Sequence, residues 1–236
     1  MLTSPPDLIT SEQLWQMFPK SSALDREIVA REINAKATEF KLDTSIRQRH
    51  FFAQIKGEIG DALKGRTEEW NYSPDALKRF SRYYQQHPEQ AEQDGYLRDS
   101  ITKIIIRRAD ERAIGRKHFQ RLNGNRPSNP EDGYNFRGRG LIQITGYEKY
   151  NGFMKNYAKY WEDDVPDTVS NPELINDMPY ATRSAMYFWL HYHIHIMADK
   201  GNGYADVKSV TRRVNGGSEG LDRREFAYRE AEGIFQ

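Results

Sequence analysis

With 236 residues the chain is long enough for one large domain or two small ones, and it can bury a proper core. Its 35 Lys and Arg against 34 Asp and Glu give a formal charge of +1, so no global electrostatic pull toward nucleic acid or an acidic membrane is expected. The absence of cysteine excludes a disulfide framework and any thiolate metal site.

The opening MLTSPPDLITSEQLWQMFPK has no basic segment followed by an apolar one, and nowhere do about 18 apolar residues run together. Neither a standard export signal nor stable membrane insertion is therefore expected, and a target outside the cytoplasm would need another route of delivery. Thr10-Ser11-Glu12-Gln13 has capping-box character and predicts a short helix carrying Leu14, Trp15 and Phe18 until Pro19. Val29, Ile33, Ala37 and Phe40 recur at helical spacing and predict a helix over 24–40.

Asp43-Thr44-Ser45 then caps a central helix ending near Glu58, in which Phe52, Ile55, Ile59 and Ala62 form one face. Glu58 falls on the flank of that face. A carboxyl beside apolar side chains loses solvation for its charged form, so its pKa rises and it can act as a general acid near neutral pH. Glu68 and Glu69 follow beyond Gly60 and Gly65. An unbroken helix would carry the ten residues from Glu58 to Glu68 about 15 Å, whereas inverting glycosidases hold their carboxyls roughly 6.5–9.5 Å apart. The glycines supply the required break. Spacing alone leaves Glu68 and Glu69 interchangeable, and it favours a helix-face carboxylate followed by a solvated loop pair.

Ser73-Pro74 predicts a helix over 74–86 with Leu77, Phe80 and Tyr84 inward, followed by a polar stretch over 87–95. A helix over 100–118 is expected to bury Ile104, Ile105 and Ile106. Its Arg107, Arg108, Arg112, Arg116 and Lys117, interleaved with Asp110 and Glu111, read as a mixed solvated face rather than a nucleic-acid patch. Residues 123–140 read as a long loop and 141–145 as a short strand, with Thr145 heading a capping box for a helix to about Tyr160. Asn171-Pro172-Glu173 caps a short helix, 179–196 form an aromatic helix, 206–214 a helix stopped by Gly216-Gly217, and Asp222 opens the last one. The pattern is all-α with minor strand content, a single domain over 1–236 with room for two lobes flanking a substrate groove. The aromatic content of 12% suits stacking on sugar faces, although core packing accounts for it equally.

His191, His193 and His195 alternate, a spacing that would share one face of a strand but points apart on a helix, so no metal site is expected. No P-loop, dinucleotide fingerprint, GxSxG elbow or HExxH occurs.

The blocks LITSEQLWQMFP, FFAQIKGEIG, TEEWNYSPDALKRF, YNFRGRGLIQITGYEKYN, NPELI and VTRRVNGGSEGLDRREFAYREA together resemble, in order, landmarks of the family 19 glycoside hydrolases. The likeness is strongest to compact bacterial and phage members that act as peptidoglycan-cleaving endolysins, and it spans about residues 9–233. It implies a lysozyme-like all-α fold and an inverting two-carboxylate reaction without cofactor or metal. Glu58 matches the family's general acid, Glu68 its general base, and Thr145 the residue that helps hold the water. Gln143 and Asn215 match residues that bind the sugar's N-acetyl and hydroxyl groups. Tyr150 matches a tyrosine at a sugar contact, and Arg224 an arginine near the acid and base whose charge would favour ionisation of Glu68, a structural ion pair being the competing account. The family usually reads His-Glu-Ser/Thr-Gly around the acid. Here Gly57 precedes Glu58 and Ile59 follows it, and Lys149 stands where relatives carry Asn.

The expectation is a peptidoglycan-cleaving muramidase, a monomer that binds no nucleic acid, reaching the wall by holin release or secretion-system delivery. An injected toxin would bring an immunity protein as partner. The alternatives are a chitinase acting on GlcNAc polymers and a non-catalytic wall-binding protein that kept the fold.

Overall fold

Thr10 starts the first helix as the sequence predicts. Its Oγ1 accepts the Gln13 N–H, while the Gln13 side chain accepts the Thr10 N–H in return. The computed structural model describes residues 8–236, so residues 1–7, on which part of the export-signal expectation rests, lie outside the described residues. The fold is α-rich with one small antiparallel ribbon. It comprises two compact units, each interleaved in sequence. One takes the chain up to Arg66 with Arg139–Ile144 and Glu173–Gln236, and the other takes Thr67–Gly138 and Thr145–Pro172.

The first unit contains α1 (Ser11–Met17), α2 (Ala23–Ala35), α3 (Ser45–Ile59), α10 (Tyr180–His191), α11 (Ile194–Ala198), α12 (Tyr204–Asn215) and α13 (Leu221–Ile234). Its axis is α3, packed chiefly along α13. The Phe52 ring stacks on Phe235 at 4.9 Å and meets Phe18 edge-on at 6.0 Å, while Phe51 meets Trp189 at 5.5 Å. His50, fully buried, lies 4.4 Å from the Tyr228 ring with its Nε2 2.9 Å from the Gly201 carbonyl. Burial pushes its pKa down.

The second unit contains α4 (Pro74–Phe80), α5 (Arg82–Gln86), α6 (Pro88–Asp94), β1 (Leu97–Arg98), β2 (Ile105–Arg107), α7 (Glu111–Ile114), α8 (Asp132–Asn135) and α9 (Tyr147–Asn156). Its core gathers Trp70, Leu77, Tyr84, Ala91 and Ile114, with Phe119 stacked on Trp70 at 4.1 Å. Tyr84 Oη donates to Asp94 at 2.7 Å and Lys117 reaches the same carboxylate at 2.6 Å.

Several boundaries differ from expectation. The second helix ends at Ala35 rather than Phe40. Residues 36–42 turn back through Lys41 at φ 58°, and Ala37, Phe40 and Leu42 are buried by the turn instead. The 74–86 helix is broken at Ser81, which is extended; its Oγ accepts the Tyr84 N–H and so caps a new helix. The polar stretch 87–95 holds α6, started by Pro88 at its first position.

The largest correction concerns 100–118. Asp99 Oδ1 accepts the N–H groups of Ile101 and Thr102, and the Asp99 N–H donates to the Ile104 carbonyl, closing a hairpin that pairs β1 with β2. Ile104, Ile105 and Ile106 are exposed, not core, because β-branched residues favour the ribbon once an Asx turn is available. Helix forms only in α7 and a π-helical turn at Gly115–Phe119. The cations there are engaged: Arg112 and Arg116 both bond Glu131, and Arg108 pairs with Glu69. The 141–145 stretch is a tight turn, with Gln143 at φ 54° and a single bridge between Arg139 and Ile144, rather than a strand. The long aromatic helix splits at His193, which is left-handed, and among the described residues no three His, Asp or Glu side chains cluster as metal ligands.

Candidate active site

Glu58 lies in the last turn of α3. Gly60, at φ 71°, ends that helix, and its N–H returns to the Lys56 carbonyl. The chain then doubles back so that Arg66 Nη2 donates to the Glu58 carbonyl at 2.7 Å. The Glu58 side chain is 19% exposed, and its Oε1 accepts from the guanidinium of Arg224 on α13. Two opposing effects act on this carboxyl. Burial penalises the anion and is the larger; the charge and hydrogen bond of Arg224 act against it, with smaller help from Arg66 and Arg223. The balance holds Glu58 above the usual carboxylate range. Its Oε2 has no protein partner among the described residues, so one oxygen is fixed while the other is left to work.

Arg224 reaches Glu58 through a slot that depends on two glycines. A Cβ on Gly57 would lie 2.4 Å from Arg224 Cγ, and one on Gly220, at φ 65°, would lie 2.6 Å from Arg224 Nη1. The arginine is 2% exposed, and its Nη1 donates to the Glu219 carbonyl at 2.9 Å. Asn215, exposed at the end of α12, donates to the same carbonyl at 3.2 Å. Of the two accounts of Arg224, the ion pair is the one present. Its partner is Glu58, and being buried it positions that carboxyl rather than offering itself to a sugar.

Gln143, half-buried, donates to the carbonyls of Arg66 at 2.9 Å and Gly140 at 3.0 Å. Its left-handed backbone aims the amide across the turn. These bonds brace the segment that brings Arg66 to Glu58.

In the second unit, Glu68 is half-buried and joined to Gly138 twice. Its N–H donates to the Gly138 carbonyl at 2.8 Å, and its Oε2 accepts the Gly138 N–H at 3.2 Å. Glu69 is exposed and bonds Arg108 at 3.1 Å. The two neighbours are thus not equivalent: one is held by backbone, the other is a surface ion pair. Thr145 is half-buried and does not cap α9. The cap position belongs to Gly146 at φ 94°, where a Cβ would collide with the Asn123 carbonyl, and the Thr145 carbonyl accepts Lys149 Nζ at 3.0 Å. Burial lowers the Lys149 pKa. Tyr150 has no exposed surface and its hydroxyl donates to the Arg137 carbonyl at 2.7 Å, so it supports the Arg137–Gly138 segment from inside the unit and is not presented to a sugar.

Sequence reasoning missed Gly57 and Gly220 as the walls of the arginine slot, and Arg66 as the tie to the Glu58 carbonyl. The only signal was Gly57 standing where relatives carry a side chain. The contact with Gly138 had none, because backbone partners leave no composition trace.

No family model matches the chain. Among curated proteins it is 30% identical over 201 residues to a glycosyl hydrolase family 19 domain-containing protein of Haemophilus influenzae, covering 85% of this chain and 86% of that one. Among solved structures it is similar in fold to chitinase C from Streptomyces griseus HUT6037, with a TM-score of 0.57 at 16% identity over 100% of this chain and 95% of the other. A bacterial family 19 chitinase aligns with a TM-score of 0.52 at 15% identity over 95% of both chains. The Haemophilus likeness covers most of both chains at an identity that carries family membership, and the protein belongs to the family 19 glycoside hydrolases.

Proposed function

We propose that this glycoside hydrolase cleaves the β-1,4 bonds of bacterial peptidoglycan by an inverting mechanism in which Glu58 is the general acid and Glu68 the general base. The observation that carries the acid assignment is the Glu58 carboxyl itself. It is held above its ordinary pKa by burial, with one oxygen fixed by Arg224 and the other without a protein partner among the described residues. The protonated oxygen donates to the glycosidic oxygen as the bond breaks, and Glu58 is left as a carboxylate that Arg224 stabilises. Glu68, oriented through Gly138, takes a proton from the water that attacks the anomeric carbon, with Thr145 helping to hold that water. The product anomer is inverted and no covalent intermediate forms. Asn215 and Gln143 contribute contacts to the sugar.

The peptidoglycan assignment rests on the resemblance of the sequence blocks to wall-cleaving members of the family. Chitin is the second reading, favoured by the names of the solved structures that share the fold. Digestion of purified peptidoglycan and of GlcNAc oligomers tests both, with products followed by mass spectrometry and their anomers by NMR. Muropeptides with the inverted anomer are expected. Cleavage of chitin oligomers alone overturns the substrate, a retained anomer overturns the mechanism, and equal inactivity of the wild type and Glu58→Gln with wall binding intact returns the non-catalytic reading.

A further inference from the structure

The β1–β2 hairpin of the second unit has a chemistry that the hydrolase reading does not use. Ile101 is 87% exposed, Ile104 64%, Ile105 38% and Ile106 61%. Successive strand residues project to opposite faces of a ribbon. Ile104 and Ile106 therefore share the open face of the ribbon, while the face of Ile105 and Arg107 is turned toward the unit. The tip is nonetheless ordered. Asp99 Oδ1 accepts from Ile101 N, Thr102 N and Thr102 Oγ1 within 3.0 Å, and Lys103 takes a left-handed φ of 60°. At the base, Arg107 Nη2 donates to the carbonyls of Glu92 and Gly95 at 2.7 and 2.8 Å.

Charge surrounds this apolar wedge asymmetrically. From Leu97 to Arg107 the chain carries three cations, Arg98, Lys103 and Arg107, and one acid, Asp99, whose oxygen is committed to the turn, while Arg108 beyond them is paired with Glu69. We propose that this hairpin is an interfacial anchor that docks the protein on an anionic lipid surface. Ile101 at the tip with Ile104 and Ile106 on the open face makes a shallow apolar wedge of the kind that the headgroup and outer acyl region accepts. Contiguous apolar exposure of this kind marks an interaction site, and a cationic collar adds attraction that acts within a Debye length of anionic headgroups. The turn is already fixed, so docking orders little new backbone. No helix among the described residues is long and apolar enough to cross a membrane, and none is required for an anchor of this type.

The test is co-sedimentation of the full chain with vesicles of phosphatidylglycerol alone and of phosphatidylcholine alone, with the mass of the free protein measured by analytical ultracentrifugation. Binding to the anionic vesicles, weakened by salt and absent from the neutral ones, is expected. Ile101→Ser with Ile104→Ser should weaken it by about tenfold or more, and Arg98→Glu with Lys103→Glu should abolish the preference for anionic lipid. Both double variants should keep the wild-type circular dichroism and melting temperature, since these side chains are outside the core. Failure to pellet with phosphatidylglycerol overturns the proposal, as does binding that both double variants retain. A wild type that self-associates and becomes monomeric in the isoleucine variant overturns it in favour of a second copy of this chain.

Discussion

Replacing Gly57 by Ala puts one methyl group into the path of Arg224. The added carbon would lie 2.4 Å from Cγ, 3.1 Å from Nε and 3.3 Å from Cδ. Ordinary carbon contacts are about 3.5–4.0 Å, so the methyl and the arginine stem must part by about 1 Å. Two responses are open: α3 and α13 separate, or Arg224 withdraws from Glu58. Overpacking costs about 1–3 kcal/mol, and a lost charge-assisted hydrogen bond about 1.5–3 kcal/mol. These are alternatives, not a sum. Alanine returns up to about 1 kcal/mol of helix propensity, leaving a net destabilisation of up to about 2 kcal/mol. Withdrawal also removes the cation that opposes the effect of burial on Glu58, so the alkaline limb of kcat should move to higher pH while kcat falls. Thermal melts and pH–rate profiles on a soluble glycan oligomer read both effects. The same substitution made on Arg224→Ala, where the slot is vacant, should be neutral or stabilising. A stabilised Gly57→Ala with an unchanged pH profile would refute the reasoning, as would an equal cost with and without Arg224.

Other outcomes follow from the same geometry. Glu58→Gln and Glu68→Gln should each lower kcat by about a hundredfold or more, with binding to the insoluble polysaccharide retained in a pull-down assay. Arg224→Gln should shift the alkaline limb of activity upward, because the group that lowers the Glu58 pKa is gone; an unshifted profile would separate Arg224 from the acid. Glu58 holds its proton more tightly in the folded chain than in the unfolded one. Its contribution to stability is therefore full below the ordinary carboxylate pKa and is lost as pH rises through the raised value, so Glu58→Gln should lessen the fall in melting temperature over that window. Gly146→Ala forces a side chain onto φ 94° and against the Asn123 carbonyl, and a loss of about 2–4 kcal/mol in denaturant unfolding is expected.

Helices with strong local instructions were legible before any coordinates. Thr10 and Gln13 wrote the capping box, Ser73-Pro74 the start of α4, and Gly216 the end of α12, because each acts through neighbours in sequence. The hairpin was misread because Ile104-Ile105-Ile106 is apolar enough for a core helix, and only the Asx turn at Asp99 decides otherwise. Ser81 misled for a similar reason, a buried serine reading as one more helical residue until its Oγ is seen to cap the next turn. In the site, the raised pKa of Glu58 was readable from its apolar flank. Its ionic partner, 166 residues away, left no local signal, and only the family resemblance placed Arg224 near the acid and base. Spacing left Glu68 and Glu69 interchangeable; the family resemblance singled out Glu68, and the contacts each makes differ accordingly.

The pairing of α3 with α13 also sets an order of assembly during synthesis. Phe52 is stacked on Phe235, and Arg49 donates to the Phe235 carbonyl. Until residue 235 has left the ribosome, the central helix lacks the cover of α13 on its Phe52 side, and until residue 224 has done so Glu58 lacks its arginine. The second unit, whose residues end at Pro172, has all its parts much earlier. A nascent chain therefore passes through an interval in which one half can be folded while the acid is still unassembled, and chaperones that bind exposed aromatic helices would find their substrate in that interval.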